Sequence, residues 1–276
     1  MAGLLAALTW GAADFGGGLT SRRAPALAVV LGSQLIAGLI AAGIAVARGE
    51  ALLDGGDVAW AAGAGAVGAV ALAAFYHGLA TGRMGVVAPI AGVIAAAVPV
   101  AAGMLLEGLP ATGPFVGMIA AVVAIFLVSW TSGRAVDAGP QRRSVLLATA
   151  AGCGFGLFYV LLDRVEGDAV FWPLVVARMA SVSLMIAVVA TIRVPVRSLG
   201  GVAPALVVVG VLDLAGNAFF RLGALAGRLD VASVLSSLYP IATVALAALV
   251  LRERVSPLQA AGIGIAGLAI ALIAGG

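Results

Sequence analysis

The sequence predicts an all-α integral membrane protein of ten transmembrane helices arranged as two inverted five-helix repeats, and three observations carry that prediction. The 276 residues are 63% hydrophobic and 10% charged, with a mean hydropathy of +1.20, whereas a soluble domain carries about 25% charged residues to keep its surface in water. Short charged or Gly/Pro breaks cut the apolar sequence into segments of about 20 residues, the length that spans a bilayer core. The two halves of the chain also repeat one another at a nearly constant offset.

Helices are predicted at 2–20, 26–47, 57–80, 84–106 and 113–130, then at 144–162, 171–192, 202–222, 231–251 and 256–275. The first is read as a retained helix, because no basic region precedes it and its apolar run ends in Arg22-Arg23 without a small-residue cleavage site. The longest polar stretch runs from Thr131 to Ser144 and holds Gly133, Arg134, Asp137, Gly139, Pro140, Arg142 and Arg143. It divides the chain into a first repeat (1–131), a linker (132–143) and a second repeat (144–276).

The repeat is visible residue by residue. Ala74-Phe75-Tyr76-His77 and Ala218-Phe219-Phe220-Arg221 lie 144 apart, as do Gln34 and Arg178; Gly82-Arg83 and Gly227-Arg228 lie 145 apart, and Glu107 and Glu253 lie 146 apart. Five helices is an odd number, so the second copy enters the membrane from the opposite side. Small residues such as Gly63, Gly65 and Gly68, Gly38 and Ala42, or Ala260 and Gly264 suit helices that pack where lipid supplies no hydrophobic drive.

Composition narrows the chemistry. One cysteine, Cys153, permits no intramolecular disulfide, and one histidine, His77, leaves a zinc site short of ligands. No lysine is present, which removes Schiff-base chemistry, and the single asparagine, Asn217, starts no glycosylation sequon. The net charge of +3 and pI near 9.7 come from arginines at the ends of apolar runs rather than from a basic face, so no nucleic-acid partner is expected. No metal, cofactor or catalytic residue is expected either, and no HExxH pair occurs. The scarcity of Lys and Asn hints at a high-GC bacterial genome and a multi-pass protein of the inner (cytoplasmic) membrane.

Ionisable groups inside a bilayer cost about 2.5–3.5 kcal/mol each on insertion scales. Asp14, Arg178 and Asp213 all fall inside predicted helices and should face a cavity or one another, either as substrate or coupling-ion residues or as a buried structural pair. Asp14 shares a helix face with Trp10, Gly11 and Gly18. Asp213, Asn217 and Arg221 form a stripe at i, i+4 and i+8. Arg221 and its repeat mate His77 sit near opposite ends of the path, where each either snorkels to the headgroups or gates a mouth. Ser233, Ser236, Ser237 and Tyr239 precede Pro240; Ser236 and Tyr239 are substrate candidates, and the hydroxyls can also bond back to carbonyls four residues earlier. Pro89, Pro99 and Pro240 are expected to kink or interrupt helices four and nine and so free carbonyls along the path.

Trp10-Gly11 in the first helix, together with Pro240 followed by Leu251-Arg252-Glu253-Arg254-Val255-Ser256-Pro257-Leu258-Gln259-Ala260-Ala261-Gly262, resembles the EamA family of the drug/metabolite transporter superfamily. In the first half the motif is degraded: Glu107 stands alone, Ile94 replaces the proline, and Gln34 stands where the family commonly carries the arginine that Arg178 keeps in the second half. The resemblance implies a secondary transporter that moves a small metabolite or amphiphilic compound by alternating access, with export expected, through a central cavity between the halves. Proton coupling through Asp14 and a homodimeric assembly are further expectations; an integral-membrane enzyme and a non-transporting receptor or scaffold are the alternatives. Orientation divides the two lines of reasoning. Ten arginines in the first, third, fifth, seventh and ninth loops against four on the other side place both termini outside by the positive-inside rule, whereas the resemblance implies both inside.

In a Cys153→Ala background, thiol labelling of a cysteine in the linker and of one at a terminus is expected from opposite membrane faces. Labelling of both from one face would refute the ten-helix reading.

Overall fold

The computed structural model describes residues 1–81, 84–129, 138–195, 197–227, 229–250 and 256–274. Arg83, Arg134, Asp137, Arg228 and the motif segment 251–255 with Glu253 therefore lie outside the described residues, as do the side chains of Pro89 and Glu107. The described residues form eleven α-helices and one 3₁₀ turn: α1 (Ala2–Thr20), α2 (Ala26–Arg48), α3 (Gly55–Thr81), α4 (Met84–Glu107), α5 (Thr112–Ser129), α6 (Ala138–Asp163), α7 (Phe171–Thr191), the 3₁₀ turn Arg197–Val202, α8 (Ala203–Leu225), α9 (Leu229–Ser236), α10 (Tyr239–Val250) and α11 (Pro257–Ala274). Six stretches, Ala26–Arg48, Gly55–Thr81, Arg143–Asp163, Phe171–Thr191, Leu199–Leu225 and Leu229–Val250, are long and apolar enough to cross a membrane, and shorter apolar helices accompany them at Ile90–Leu105, Thr112–Leu127 and Pro257–Ala269. This is an all-helical, multi-pass membrane protein.

Local chemistry sets the helix ends. Gly49 takes the left-handed conformation, φ 64°, and the N–H groups of Gly49 and Glu50 bond back to Val46 and Ala45, closing α2 with the glycine that such a turn favours. Asp54 accepts the N–H groups of Gly56 and Asp57 at 3.0 Å each and so caps the start of α3. Before α11, the Ser256 N–H donates to Gln259 Oε1 at 2.8 Å while the Gln259 N–H donates to Ser256 Oγ at 3.2 Å, a reciprocal capping box.

Two expectations are corrected. Helix α6 starts at Ala138, six residues inside the predicted linker. The predicted ninth helix is two helices, α9 and α10, separated at Ser237-Leu238, whereas α4 runs unbroken through both Pro89 and Pro99. The sequence around the two α4 prolines offers only apolar side chains. In the ninth segment, hydroxyls compete for the backbone: Ser236 Oγ donates to Ala232 O at 2.7 Å, and Thr243 Oγ donates to Tyr239 O at 3.2 Å and to Gly11 O at 3.1 Å. Pro240, which has no N–H to give, adds to that competition. The Ser233 and Ser237 hydroxyls, both buried, have no hydrogen-bond partner among the described residues.

The core is built between the two halves of the chain rather than inside each. Helix α1 lies on α8 and on α9–α10, α6 lies on α3 and α4, α3 lies on α7, α2 lies on α7 and α8, α4 lies on α9, and α5 lies on α11. Missing side chains make these approaches close. A Cβ on Gly65 of α3 would stand 1.9 Å from the Ala177 carbonyl oxygen of α7, and one on Gly11 would stand 2.6 Å from the Tyr239 carbonyl oxygen. A Cβ on Gly264 would meet nothing within 4 Å, so this member of the small pair predicted in the last helix faces no other helix among the described residues.

Gly65→Ala is expected to destabilise the protein by about 1–3 kcal/mol or more, because backbone rather than a pliable side chain stands in the way; a lowered melting temperature in detergent reads it. Gly264→Ala is expected to stay within about 0.5 kcal/mol of the parent.

Candidate functional site

Within the bundle, α1, α2, α3, α6, α7, α8 and the start of α10 surround one cavity of about 470 Å³, part of it open to the outside. Trp10, Asp14, Gln34, Arg178, Asp213, Asn217 and Tyr239 line it together with Gly68, Leu72, Phe155, Phe158 and Tyr159. Seven of the eight residues expected to meet substrate or coupling ion thus converge there. Ser236 does not: its hydroxyl is held by the Ala232 carbonyl and lies against Gly3 of α1. Pro240 packs against Gly92 of α4, 3.0 Å from where a Cβ there would stand.

Arg178 is the hub of the polar side. One guanidinium nitrogen donates to Asp213 Oδ2 at 2.7 Å and another to Gln34 Oε1. The Gln34 amide donates to Asp213 Oδ2 at 3.5 Å, Ser181 Oγ donates to Gln34 Oε1 at 3.3 Å, and Asn217 Nδ2 donates to both the backbone carbonyl (2.7 Å) and Oδ1 (3.2 Å) of Asp213. The acid that holds Arg178 is therefore Asp213, with Gln34 completing the clamp. Gln34 and Arg178, 144 residues apart, hydrogen-bond directly to each other.

Asp14 is different. It is 8% exposed, and its carboxylate makes no hydrogen bond among the described residues. It stands within Coulombic range of Asp213 and of the hydroxyls of Tyr76, Tyr159 and Tyr239, which are all three tyrosines of the chain. Trp10 stacks on Tyr159 at a centroid distance of 5.5 Å and is tilted against Phe220 at 5.8 Å. Its indole also lies where a side chain on Gly216 would be, 2.5 Å from that position. The cavity therefore pairs a carboxylate without a hydrogen-bond donor among the described residues, and an aromatic wall, with an ion pair in which both terminal guanidinium nitrogens of Arg178 are engaged.

The aromatic wall of α6 is what the sequence reading missed. Phe155, Phe158 and Tyr159 stand at i, i+3 and i+4, a spacing that places all three on one helix face. The expectation that Arg221 snorkels is also corrected. It is 1% exposed, and Nη2 donates to Val165 O at 2.7 Å and Gly167 O at 3.1 Å, Nη1 to Leu162 O at 3.3 Å and Nε to Ala169 O at 3.4 Å. Its mate His77 is part-buried, and its ring makes no hydrogen bond among the described residues.

Arg178→Ala is expected to destabilise by about 3–5 kcal/mol, since it strands the buried Asp213 carboxylate. Adding Asp213→Asn should restore part of that loss, whereas Asp14→Asn combined with Arg178→Ala should come closer to the sum of the single changes. Melting temperatures of the four-member cycles read both outcomes.

Residues 142–275 match the sequence profile of the EamA-like transporter family. No curated protein matches the sequence. Among the similar solved structures is a crystal structure of a protein with a TM-score of 0.77 at 17% identity, the match covering 98% of this chain and 94% of that one; at that identity the likeness is one of fold. The similarity to the EamA-like transporter family lies in residues 142–275, the second half of the chain.

Proposed function

We propose that the chain is a secondary transporter that moves a small metabolite or amphiphilic compound across the cytoplasmic membrane by alternating access, in the direction of export. The observation that carries this reading is the cavity walled by helices of both halves and bearing Asp14, Arg178 and Asp213 in a largely apolar bundle. Charges at such depth are retained at a cost, and a cavity that meets water and solute is where that cost has a use.

The proposed architecture is two inverted five-helix repeats, 1–131 and 144–276. Its support is the pattern of helix contacts, which reproduces itself when the halves are exchanged. The contact of α3 with α6 becomes that of α8 with α1, α4 on α6 becomes α9–α10 on α1, and α3 on α7 becomes α8 on α2, while the α2–α7, α4–α9 and α5–α11 pairs exchange with themselves. The meeting of Gln34 with Arg178 fits a pseudo-two-fold axis passing between α2 and α7. In such an arrangement each repeat can take the conformation the other has left.

Asp14 is the proposed coupling group. With no donor of its own among the described residues, it is free to hold a proton or to engage substrate in turn, whereas Asp213 is committed to Arg178. In proteoliposomes with an imposed pH gradient, using a substrate found by thermal-shift screening of metabolite pools, Asp14→Asn is expected to abolish uphill accumulation while sparing binding or downhill exchange. Asp14→Glu is expected to keep partial activity with a shifted pH dependence. Undiminished uphill transport by Asp14→Asn would make Asp14 a structural acid and move the coupling role to Asp213.

A further inference from the structure

We propose that Glu50, Asp57 and Arg221 form a latch that seals the cavity from the membrane face carrying the 163–170 connection, and that release of this latch is what opens the cavity to that face. Arg221 sits on α8 two turns beyond Asp213 and one beyond Asn217, about 12 Å further along the helix at 1.5 Å per residue. It lies between the cavity and the α6–α7 connection, and its guanidinium holds four carbonyls there, from Leu162 to Ala169. Glu50 of the α2–α3 connection and Asp57 in the first turn of α3 hold the same connection and the start of α7. Asp57 Oδ1 accepts the Glu166 N–H at 2.9 Å, Glu50 Oε2 accepts the N–H groups of Phe171 and Trp172 at 2.8 and 3.2 Å, and the Trp172 indole N–H donates to the Glu50 carbonyl at 2.9 Å.

Three features distinguish this cluster from a simple loop cap. Helix α8 packs on α1 and α2 and only lightly on α6 and α7, so Arg221 is the main polar tie between the helix carrying Asp213 and the 163–170 segment. Where the halves meet through bare glycine backbone, as at Gly65 and Gly11, the contacts cannot lengthen without losing their packing. A guanidinium on a long stem reaching carbonyls can let go and re-form. Finally, the latch is not duplicated in the sequence: residues 144 positions away from Glu50, Asp57 and Arg221 are Val194, Gly201 and His77, which supply no acids and no guanidinium.

The test reads access rather than flux, so failure of the latch and failure of the transport reading are separable. In a Cys153→Ala, Leu72→Cys background, a membrane-impermeant thiol reagent is applied in turn to each face of sealed vesicles. Arg221→Gln is expected to speed labelling of the cavity cysteine from the 163–170 face by at least about tenfold, as a population shift toward the open form requires, with little change from the other face. Arg221→Lys should fall between, since it keeps the charge but has fewer donors. A disulfide between Asp57→Cys and Glu166→Cys should bring the Arg221→Gln rate back down, and reductant should raise it again. Unchanged labelling in Arg221→Gln, equal acceleration from both faces, or a disulfide that leaves the rate high would each overturn the latch.

Discussion

A guanidinium in the middle of an apolar bundle has to be neutralised where it stands, and the way Arg178 is neutralised organises the rest of this molecule. Its two partners come from different helices and different halves, Gln34 on α2 and Asp213 on α8, and Asn217 holds Asp213 in place from one turn away. Removing one partner would leave an unpaired buried charge, so the three helices are bound to a common register. That register in turn sets which faces of α1, α3 and α6 can close around the remaining space, and it leaves Asp14 as the acid in the cavity without a donor among the described residues.

Packing and polar contacts divide the remaining work. Between helices that must not separate, the protein dispenses with side chains: Gly65 meets the backbone of α7, and Gly11 meets the backbone of α10. Lipid tails are as apolar as the helices they surround, so close van der Waals approach is the available source of cohesion there. At the 163–170 segment the opposite choice is made. Cohesion comes from directional hydrogen bonds by Arg221, Asp57 and Glu50, interactions that can be exchanged for water at the membrane edge with smaller loss than a close-packed seam. Interfaces of the first kind behave as rigid units and those of the second as hinges or locks.

Much of this was legible in the sequence because a lipid environment penalises the relevant features heavily. Asp14, Arg178 and Asp213 stood out as charges in apolar runs, and the stripe of Asp213, Asn217 and Arg221 followed from a spacing of four. Which acid holds Arg178 was not legible, since that depends on the rotation of α1 and α8 about their axes, and spacing does not fix rotation. The fate of Arg221 was misread for a related reason. A residue near a helix end can snorkel only if nothing covers that end, and here the 163–170 connection folds over it. The prolines show the same limit: Pro99 and Pro240 look alike in the sequence, yet only the Pro240 segment, the one with Ser and Thr neighbours, breaks.

Repetition and asymmetry then have separate consequences. In the proposed two-repeat architecture, inward- and outward-facing arrangements are related by the pseudo-two-fold axis and so nearly equal in energy. The side chains break that equality, since Asp14 is matched by Phe158, Gln34 by Arg178 and Arg221 by His77. A ligand or proton moves such an equilibrium only through its difference in affinity for the two states. Under the proposed mechanism, with Asp14 in the first half of the chain and the guanidinium over the 163–170 segment in the second, protonating or occupying Asp14 acts on a balance that is already unequal. A symmetric scaffold alone would open to both faces alike; the unmatched residues are what can give it a preferred state and a direction.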